Sequence, residues 1–396
     1  MTHREGGTVE RPRWKIPALR WWIVALLFAS TVINYIDRQT LSLLAPYLKV
    51  RNHWDDTDYA NIIVAFRIAY AIGQALFGRI LDRLGTKKGL TLTVAWYSVA
   101  SMLTPLARGL SGFMGMRFLV GAGESGNWPG ATKAVSEWFP GQERALATAF
   151  FDSGSSIGAA VAPFIVLPIY FRWGTMPAFA IPGILGVFWL LVWQRAYHPP
   201  QHHPHIQPGE RRMILRETGA EGADRPPGMR WLQLLRLPQT WGVISARMLS
   251  DPVFFFIADW FPIYLVAKGV SLKTGLFVIW IPFAGTDLGN LLGGWLSGYL
   301  IRRGWSTGAA RKSILVVGAA GMALLIPTIF TNHLLFLTIL FFVSCFSYGL
   351  YTTIANVLPT DLFYPESVAS VSGLSGSGAA LCTIIVSELA GHISDV

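Results

Sequence analysis

The chain has 396 residues, of which 52% are hydrophobic and 14% are charged, and its formal net charge is +10. Soluble domains average about 25% charged residues, so this composition excludes an ordinary soluble enzyme or binding module and indicates a membrane protein. The positive charge alone would also suit a nucleic-acid-binding protein, so the distribution of Lys and Arg has to decide between the two.

Apolar stretches of about 20 residues recur along the chain, separated by short polar segments. About 20 residues of α-helix cross a hydrocarbon layer roughly 30 Å thick, so the sequence predicts an all-α polytopic membrane protein. Eleven spans are predicted, at 19–46, 57–81, 89–107, 111–137, 145–170, 176–197, 241–267, 275–301, 313–331, 334–357 and 367–391. Cys345 and Cys382 both fall within spans, where a thiol packs as a small side chain and predicts no disulfide framework.

The basic tail, residues 1–18, precedes an apolar run that is too long for a signal-peptide core and lacks a small-residue cleavage site. We therefore expect an uncleaved first helix. Most of the 32 Lys and Arg residues fall in loops on the same side of the membrane as this tail. That bias predicts a cytoplasmic N-terminus, and it explains the net charge without a nucleic acid partner.

The longest interval between spans, residues 198–240, is rich in Pro, Arg and His and predicts a solvated cytoplasmic linker. It would separate an N-terminal six-helix bundle at 19–197 from a C-terminal bundle at 241–396. Four histidines in the linker have loose metal-like spacing but lack acidic or Cys partners, so no metal site is expected. They are His198, His202, His203 and His205.

Two pairs of segments repeat at nearly the same spacing. GRILDRLG after span 2 resembles GYLIRRGW after span 8, and EWFPGQER after span 4 resembles DLFYPESV after span 10. Such a duplication predicts six spans in each half, whereas the chain reaches Val396 as span 11 ends. We expect a sequence cut short before span 12, with an atypical eleven-span protein as the alternative. The same offset carries Asp37 of span 1 onto Asp259 of span 7.

The segment GRILDRLGTKK fits the pattern G-x-x-x-D-R-x-G-x-[KR]-[KR] between spans 2 and 3 of the major facilitator superfamily, which this chain resembles. NYIDRQTLS, RFLVGAGESGNWPGATKAVSEWFPGQER and LPTDLFYPESVASVSGLSG resemble the anion:cation symporter branch, nearest to its bacterial hexuronate and sugar-acid carriers. The resemblance implies two pseudo-symmetric six-helix bundles, a monomer, and a multi-pass protein of the bacterial inner membrane.

The motif between spans 2 and 3 predicts a gate on the cytoplasmic side. It requires a carboxylate at a helix end, facing the amides and basic side chains of a neighbouring helix. Asp82 is the candidate, with Arg83 and Lys87 around it and with Gly78 and Gly85 allowing close approach. The alternative is a solvated turn that follows the charge bias.

Span 1 carries two adjacent charges, Asp37 and Arg38. A charge at the bilayer centre costs about 2.5 to 3.5 kcal/mol on insertion scales, so each needs a polar cavity or a partner. Adjacent helical residues point about 100° apart, so the two cannot neutralise each other. Span 4 offers Arg117 and Glu124, two turns apart on one face. Span 2 offers a polar stripe of Arg67, Tyr70 and Gln74.

The resemblance assigns roles to these residues. In the sugar-acid carriers the Arg beside the span 1 acid binds the substrate carboxylate, which makes Arg38 the anchor here. Asp37 and Glu124 become proton-coupling acids, and Arg117 tunes Glu124, because a nearby cation favours the carboxylate whereas burial favours the protonated form. The residues implied to contact the sugar are Tyr35, Tyr70, Ser155, Tyr348, Tyr351, Asn356 and Ser375. The alternative is a buried salt-bridge network that holds spans 1 and 4 together.

Three residues depart from the pattern of the hexuronate carriers. Arg67 stands where an uncharged polar residue is usual, Asp152 where Asn is usual, and Asp259 where an aromatic or apolar residue is usual. One extra cation and two extra acids around a cavity would change the substrate charge or the coupling number. The alternative is that they pair with one another.

The sequence therefore predicts a proton-coupled symporter that imports a carboxylated sugar, such as a hexuronate or an aldonate, with protons as the coupling ion and no cofactor. No redox, nucleotide, nucleophile-triad or zinc motif is recognisable, so an enzyme is not expected. The alternatives are an exchanger of other organic or phosphate anions and a non-transporting sugar-acid receptor. A single Arg anchor favours a monocarboxylate over a phosphoester, although Arg67 leaves that choice open.

Overall fold

The computed structural model describes residues 15–219, 227–267, 276–331 and 333–394; for 255–256, 258–267, 276–280, 282 and 387–394 it describes the backbone alone. The N-terminal half comprises α1 Leu19–Asn52, α2 Asp56–Leu84, α3 Thr86–Leu103, α4 Gly109–Glu124, α5 Asn127–Trp138, α6 Gly141–Asp152, α7 Gly154–Trp173 and α8 Thr175–Ala196. The linker holds α9 Pro208–Glu217 and α10 Trp231–Leu234. The C-terminal half comprises α11 Pro238–Ala267, α12 Leu276–Arg302, α13 Thr307–Met322, α14 Leu334–Leu362 and α15 Pro365–Ser394.

Seven helical segments of the described chain are long and apolar enough to cross a membrane. They are Leu19–Asn52, Asp56–Leu84, Gly141–Trp173, Thr175–Ala196, Thr307–Phe330, Leu334–Leu362 and Pro365–Val386. The other predicted spans coincide with α3, with α4 and α5 together, with α11 and with α12. The protein is therefore an all-α, multi-pass membrane protein.

Two predicted spans are interrupted where the sequence suggested continuous helices. α4 ends at Glu124 and α5 begins at Asn127, while α6 ends at Asp152 and α7 begins at Gly154. Each break brings a carboxylate to the end of a helix inside the bundle. Asn127 anchors the first break, because its amide lies 3.1 Å from Ser30 Oγ and 3.4 Å from Thr31 Oγ1, both on α1.

The two halves meet along α2 and α15 and along α6 and α12. Small residues allow this approach: a Cβ at Gly78 would collide with the main chain of Ala369, and one at Gly294 would lie 2.8 Å from the carbonyl oxygen of Ala145. We call the end of the bundle at Leu84, Pro238 and Leu362 the linker side and the opposite end the far side. These contacts run from the linker side to the level of Ser377 and Asp287, near the middle of their helices.

The first part of the linker packs against the N-terminal half, although the sequence predicted a solvated segment. Ile16 pairs with Ile206 in an isolated parallel bridge, and Ile206 and Ile214 are buried. Glu210 accepts hydrogen bonds from the backbone N–H groups of Leu19 and Arg20, at 3.0 and 3.2 Å. Its carboxylate thus caps the N-terminus of α1, where unpaired amides and the helix dipole favour an anion.

His203 lies at the centre of this packing and is only 2% exposed. Its Nδ1 accepts a hydrogen bond from His205 N–H at 3.1 Å, so the neutral ring carries its proton on Nε2 and donates to the carbonyl oxygen of Ala196 at 2.9 Å. Burial lowers the pKa of His203, and the nearby His198, His205 and Arg211 lower it further, against the opposing hydrogen bond to Ala196. The docked linker therefore holds His203 neutral.

We predict that the linker undocks on acidification. Below the ordinary histidine pKa of about 6.5, the undocked ring binds a proton more readily than the docked ring, so docking weakens as the pH falls, by up to about tenfold per pH unit. Hydrogen exchange of residues 198–217, corrected for intrinsic rates, should accelerate between about pH 7.5 and pH 5.5. His203→Gln, whose amide can still donate and accept, should weaken this dependence. The exposed His202→Gln is the matched control, and equal pH dependence in both variants would contradict the assignment.

Candidate functional site

The two adjacent charged residues of α1, Asp37 and Arg38, point in different directions, as neighbouring residues of a helix do. Asp37 is fully buried and accepts a hydrogen bond from the hydroxyl of Ser101 on α3. Its second oxygen lies 3.9 Å from Nη1 of Arg117 on α4. Arg38 points elsewhere, toward α2 and the end of α4. The two neighbours therefore enter different contacts within one network of ionisable side chains.

Arg38 and Glu124 form the central ion pair. Nε of Arg38 donates to Oε2 of Glu124 at 2.9 Å, and the arginine side chain is 26% exposed whereas the glutamate side chain is fully buried. The guanidinium lies 4.9 Å from the ring centre of Tyr35, 5.2 Å from that of Phe66 and 4.6 Å from that of Tyr70. Aromatic faces attract a cation, so the three rings hold Arg38 while leaving it partly exposed.

The structure pairs Arg117 differently from the expectation. Its carboxylate neighbour is Asp37, whereas Glu124 pairs with Arg38. Seven residues of helix advance by about 10.5 Å, so Arg117 and Glu124 share a face of α4 but lie too far apart for an ion pair. Several buried atoms of the network have no hydrogen-bond partner in the described chain. They are Oδ2 of Asp37, Nε and Nη2 of Arg117 and Oε1 of Glu124.

A second charged cluster lies in the C-terminal half, on α11. Nη2 and Nε of Arg247 donate to Oδ2 of Asp251 at 2.8 and 3.2 Å. The hydroxyl of Tyr348 on α14 donates to the other oxygen of Asp251 at 3.3 Å, and its ring stacks on Phe254 at 5.0 Å. Sequence reasoning missed this pair, although an Arg and an Asp four residues apart in an apolar span are a recognisable signal.

Two further contacts join the halves near mid-helix. Nδ2 of Asn290 on α12 donates to Oδ2 of Asp152 at 3.2 Å. Oγ of Ser156 on α7 donates to Oδ1 of Asp287 at 2.8 Å. Asp152, which departs from the pattern of the hexuronate carriers, thus lies on the boundary between the halves. We call the part of this boundary at Asp152, Ser156, Asp287 and Asn290 the seam.

The remaining predicted residues lie in varied surroundings. Arg67 is exposed, one turn beyond Ala71 on the face of α2 that packs on α15, and it has no ion pair among the described residues. Ser375 is fully buried and donates to the carbonyl oxygen of Val243 at 3.1 Å, so it joins α15 to α11 rather than lining a chamber. The side chain of Asp259 lies outside the described residues.

The other predicted sugar contacts do not gather around Arg38 as a single set. Ser155 is half-buried beside the break before α7. Asn356 is buried, and its Oδ1 has no hydrogen-bond partner among the described residues. Tyr351 lines a separate groove of about 560 Å³ on the linker side, together with Arg311 and Asp361. Tyr35 and Tyr70 are the predicted contacts that the structure brings to the anchor.

Asp82 lies at the linker side between the halves. Its carboxylate accepts hydrogen bonds from Lys133 Nζ at 3.1 Å and from the backbone N–H groups of Ala369 and Ser370 at 3.2 and 2.7 Å. Lys133 also donates to the carbonyl oxygen of Pro365. One carboxylate and one ammonium group thus tie α2 and α5 to the first turns of α15. Gly85, at φ 79°, ends α2 beside them, while Arg83 is exposed and Lys87 half-buried.

A second connection on the same side was not predicted. Asp361 at the end of α14 lies 3.4 Å from Nη1 of Arg144 and 2.8 Å from Nε of Arg311. Arg144 also donates to the carbonyl oxygen of Thr360 at 2.6 Å, and Arg311 to that of Gly141 at 2.9 Å. Both arginines thereby cross between the halves, so two ionic contacts close the linker side.

Comparisons with known proteins agree with this architecture. A family model described as the Major Facilitator Superfamily matches residues 27–387. The chain is 32% identical over 387 residues to a hexuronate transporter of Escherichia coli (strain K12), covering 96% of this chain and 89% of the relative. It is 28% identical over 401 residues to a probable galactarate/D-glucarate transporter, GudP, of Bacillus subtilis (strain 168), covering 96% and 87%.

A solved structure shows the same fold. The proton:xylose symporter XylE, bound to 6-bromo-6-deoxy-D-glucose, superposes with a TM-score of 0.70 at 14% identity, covering 96% of this chain and 89% of that one. The family match, the relatives and the fold together identify a membrane transporter rather than an enzyme.

We predict that Asp82→Asn opens the linker side. Hydrogen bonds to charged groups contribute about 1.5 to 3 kcal/mol, so loss of the carboxylate charge should shift the population roughly 10- to 100-fold toward separated halves. Spin labels at the exposed Leu84 and Tyr364, in a chain without its own cysteines, should report longer distances by pulsed EPR. The matched control is Arg83→Gln, whose side chain is exposed. Transport should fall while membrane insertion is unchanged, and an unaltered distance distribution in Asp82→Asn would refute the latch.

Proposed function

The chain belongs to the Major Facilitator Superfamily, and on that premise we propose that it is a proton-coupled symporter that imports a carboxylated sugar, such as a hexuronate or an aldonate. The observation that carries the proposal is the Arg38–Glu124 pair, in which a partly exposed cation in an aromatic setting is bonded to a fully buried acid. The names of the relatives, a hexuronate transporter and a probable galactarate/D-glucarate transporter, support this substrate class.

Arg38 has the chemistry of a carboxylate anchor. A guanidinium offers five N–H donors in a planar fork, and the bond to Glu124 uses Nε alone. The terminal N–H groups, which the bond to Glu124 does not use, can meet a substrate carboxylate, while the hydroxyls of Tyr35 and Tyr70 are suited to sugar hydroxyls. The aromatic rings exclude water from the guanidinium, which strengthens a charged hydrogen bond.

Proton coupling follows from competition for Arg38. While Glu124 is ionised, its negative charge neutralises the arginine and repels an incoming carboxylate. A proton on Glu124 removes that charge, so Arg38 binds the substrate anion more tightly, and by linkage the bound anion raises the proton affinity of Glu124. Substrate and proton therefore bind together. Asp37, held by Ser101 and near Arg117, is the second acid of this network.

The arrangement of the halves supports binding from outside the cell. The linker side is closed by the contact of Asp82 with α15 and by that of Asp361 with Arg144 of α6. The positive-inside bias assigns that side to the cytoplasm. Substrate then enters from the far side, and release requires both ionic contacts to part. We propose that the protein carries out this cycle as a monomer in the bacterial inner membrane.

A second candidate substrate is a dicarboxylate such as an aldarate. Arg67 favours it, because this exposed cation lies one turn from Tyr70 and has no ion pair among the described residues. A second carboxylate at the other end of a sugar acid would find its counter-charge there. The name of the galactarate/D-glucarate relative is in keeping with this candidate.

We predict that purified protein in proteoliposomes accumulates at least one labelled sugar acid when the outside is acidic. A panel of glucuronate, galacturonate, galactonate, glucarate and a hexose phosphate, ranked first by thermal shift at two pH values, identifies the substrate.

Arg38→Lys should weaken binding of every carboxylate roughly 10- to 100-fold, because the planar fork is lost. Arg67→Gln should weaken glucarate selectively if the second candidate holds. Thermal shift without uptake would indicate a receptor, and a preference for the hexose phosphate would contradict the sugar-acid assignment.

We predict that Glu124→Gln abolishes proton-driven accumulation and retains exchange of labelled for unlabelled substrate. The amide still accepts a hydrogen bond from Arg38 but cannot carry a proton. Uptake against a gradient should fall to equilibration, whereas counterflow in substrate-loaded vesicles continues. Asp56→Asn is the control, because that side chain is 97% exposed and lies outside the network. Accumulation by Glu124→Gln equal to that of the control would show that coupling resides elsewhere.

A further inference from the structure

We propose that Asp152 is a third proton-coupling acid, which adds one proton per substrate to those carried by Asp37 and Glu124. This inference rests on the proposed symport function and deepens it, because it assigns a coupling role to the seam between the two halves rather than to the substrate anchor.

The fold places the Asp152 carboxylate on that seam. It is the last residue of α6, and the helix break before Gly154 turns it toward α12. Its Oδ2 accepts a hydrogen bond from Nδ2 of Asn290 at 3.2 Å, across the boundary between the halves. Asn290 is oriented by Thr353 on α14, whose hydroxyl donates to the Asn290 side-chain oxygen at 2.9 Å. The acceptor role of Asp152 is therefore built into the surrounding contacts.

The charges around Asp152 are unbalanced. Arg247 is bonded to Asp251, and neither Asp152 nor Asp287 has an ion pair among the described residues. With both of these acids ionised, a net charge of about −2 would lie inside the bundle, where unpaired charge is costly. A proton on either acid lowers that cost.

Among the described groups, two phenols also interact with Asp152, Tyr35 of α1 and Tyr348 of α14, and both are neutral. Asp152 itself is half-buried, so a proton can reach it. Its environment thus combines access with a cost for unpaired charge.

The proton affinity of Asp152 must change when the halves part. While the linker side is closed, Asp152 of the N-terminal half is bonded to Asn290 of the C-terminal half. Asp287 of the C-terminal half is bonded to Ser156 of the N-terminal half. Each acid is therefore held against the opposite half. Separation removes the Asn290 contact and the like-charged neighbours of the C-terminal half, and water then stabilises the ionised form. A proton taken up in the closed arrangement is therefore released on opening toward the linker side, which is the direction of import.

The distinguishing variant is Asp152→Asn, which preserves an acceptor for Asn290 and removes only the titratable group. In vesicles clamped at zero membrane potential, each coupled proton contributes about tenfold to the accumulation ratio for a pH gradient of one unit. With glucuronate, or the best substrate of the panel, the variant should accumulate about tenfold less than the unaltered protein at that gradient. Binding and exchange should persist.

Two further variants separate coupling from a structural role. Asn290→Ser removes the contact across the seam but keeps the acid, so it should slow transport and leave the accumulation ratio unchanged. Asp152→Glu should keep the full ratio. Should Asp152→Asn fail to reconstitute, Asp152→Ser repeats the test with a different neutral side chain.

Equal ratios in the unaltered protein and the neutral variants would overturn the role of Asp152 while leaving the symporter intact. Failure of the unaltered protein to transport any sugar acid would instead reject the proposed function itself.

Discussion

Burial of charge in a low-dielectric bundle is the constraint on which this structure depends. An isolated ionised side chain in that setting is strongly disfavoured, so buried ionisable groups favour positions beside an opposite charge. Arg38 on α1 and Glu124 on α4 form the central example, with the aromatic side chains of α2 enclosing the cation. The pair fixes the rotation of three helices at once, and the surrounding contacts of Asp37 and Arg117 follow from that rotation.

Helix breaks and small residues bring the charged groups together. α4 ends at Glu124 and α6 ends at Asp152, so each carboxylate lies where the helical path is interrupted and where a neighbouring helix can approach. Glycines such as Gly78 and Gly294 allow main chains of opposite halves to touch. Without a side chain at these positions the ionic contacts of the linker side can form, because their partners approach within hydrogen-bond distance.

Much of the architecture was predictable from the sequence, because lipid imposes long apolar segments that composition alone reveals. The contacts of Asp82 and the separation of Asp37 from Arg38 follow from a local motif and from helical periodicity. Which residues of neighbouring helices contact one another was not predictable in the same way. Arg117 lies against Asp37, and Ser375 packs on α11, because the relative rotation of neighbouring helices decides which residues meet. Periodicity within one helix contains no information about that rotation.

The duplicated sequence has a physical counterpart at the linker side. Glu137 and Asp361, which occupy matching positions in the repeated segments, both accept bonds from basic or hydroxyl groups of neighbouring helices. Asp361 lies 3.4 Å from Arg144 of the other half, and its second partner, Arg311, donates to the carbonyl oxygen of Gly141, just as Asp82 receives backbone amides of α15. Reversing a strongly biased two-state equilibrium requires about 5.5 kcal/mol, whereas a charged hydrogen bond contributes about 1.5 to 3 kcal/mol. Two ionic contacts are therefore sufficient to hold the linker side closed, and they remain weak enough for a bound substrate to release.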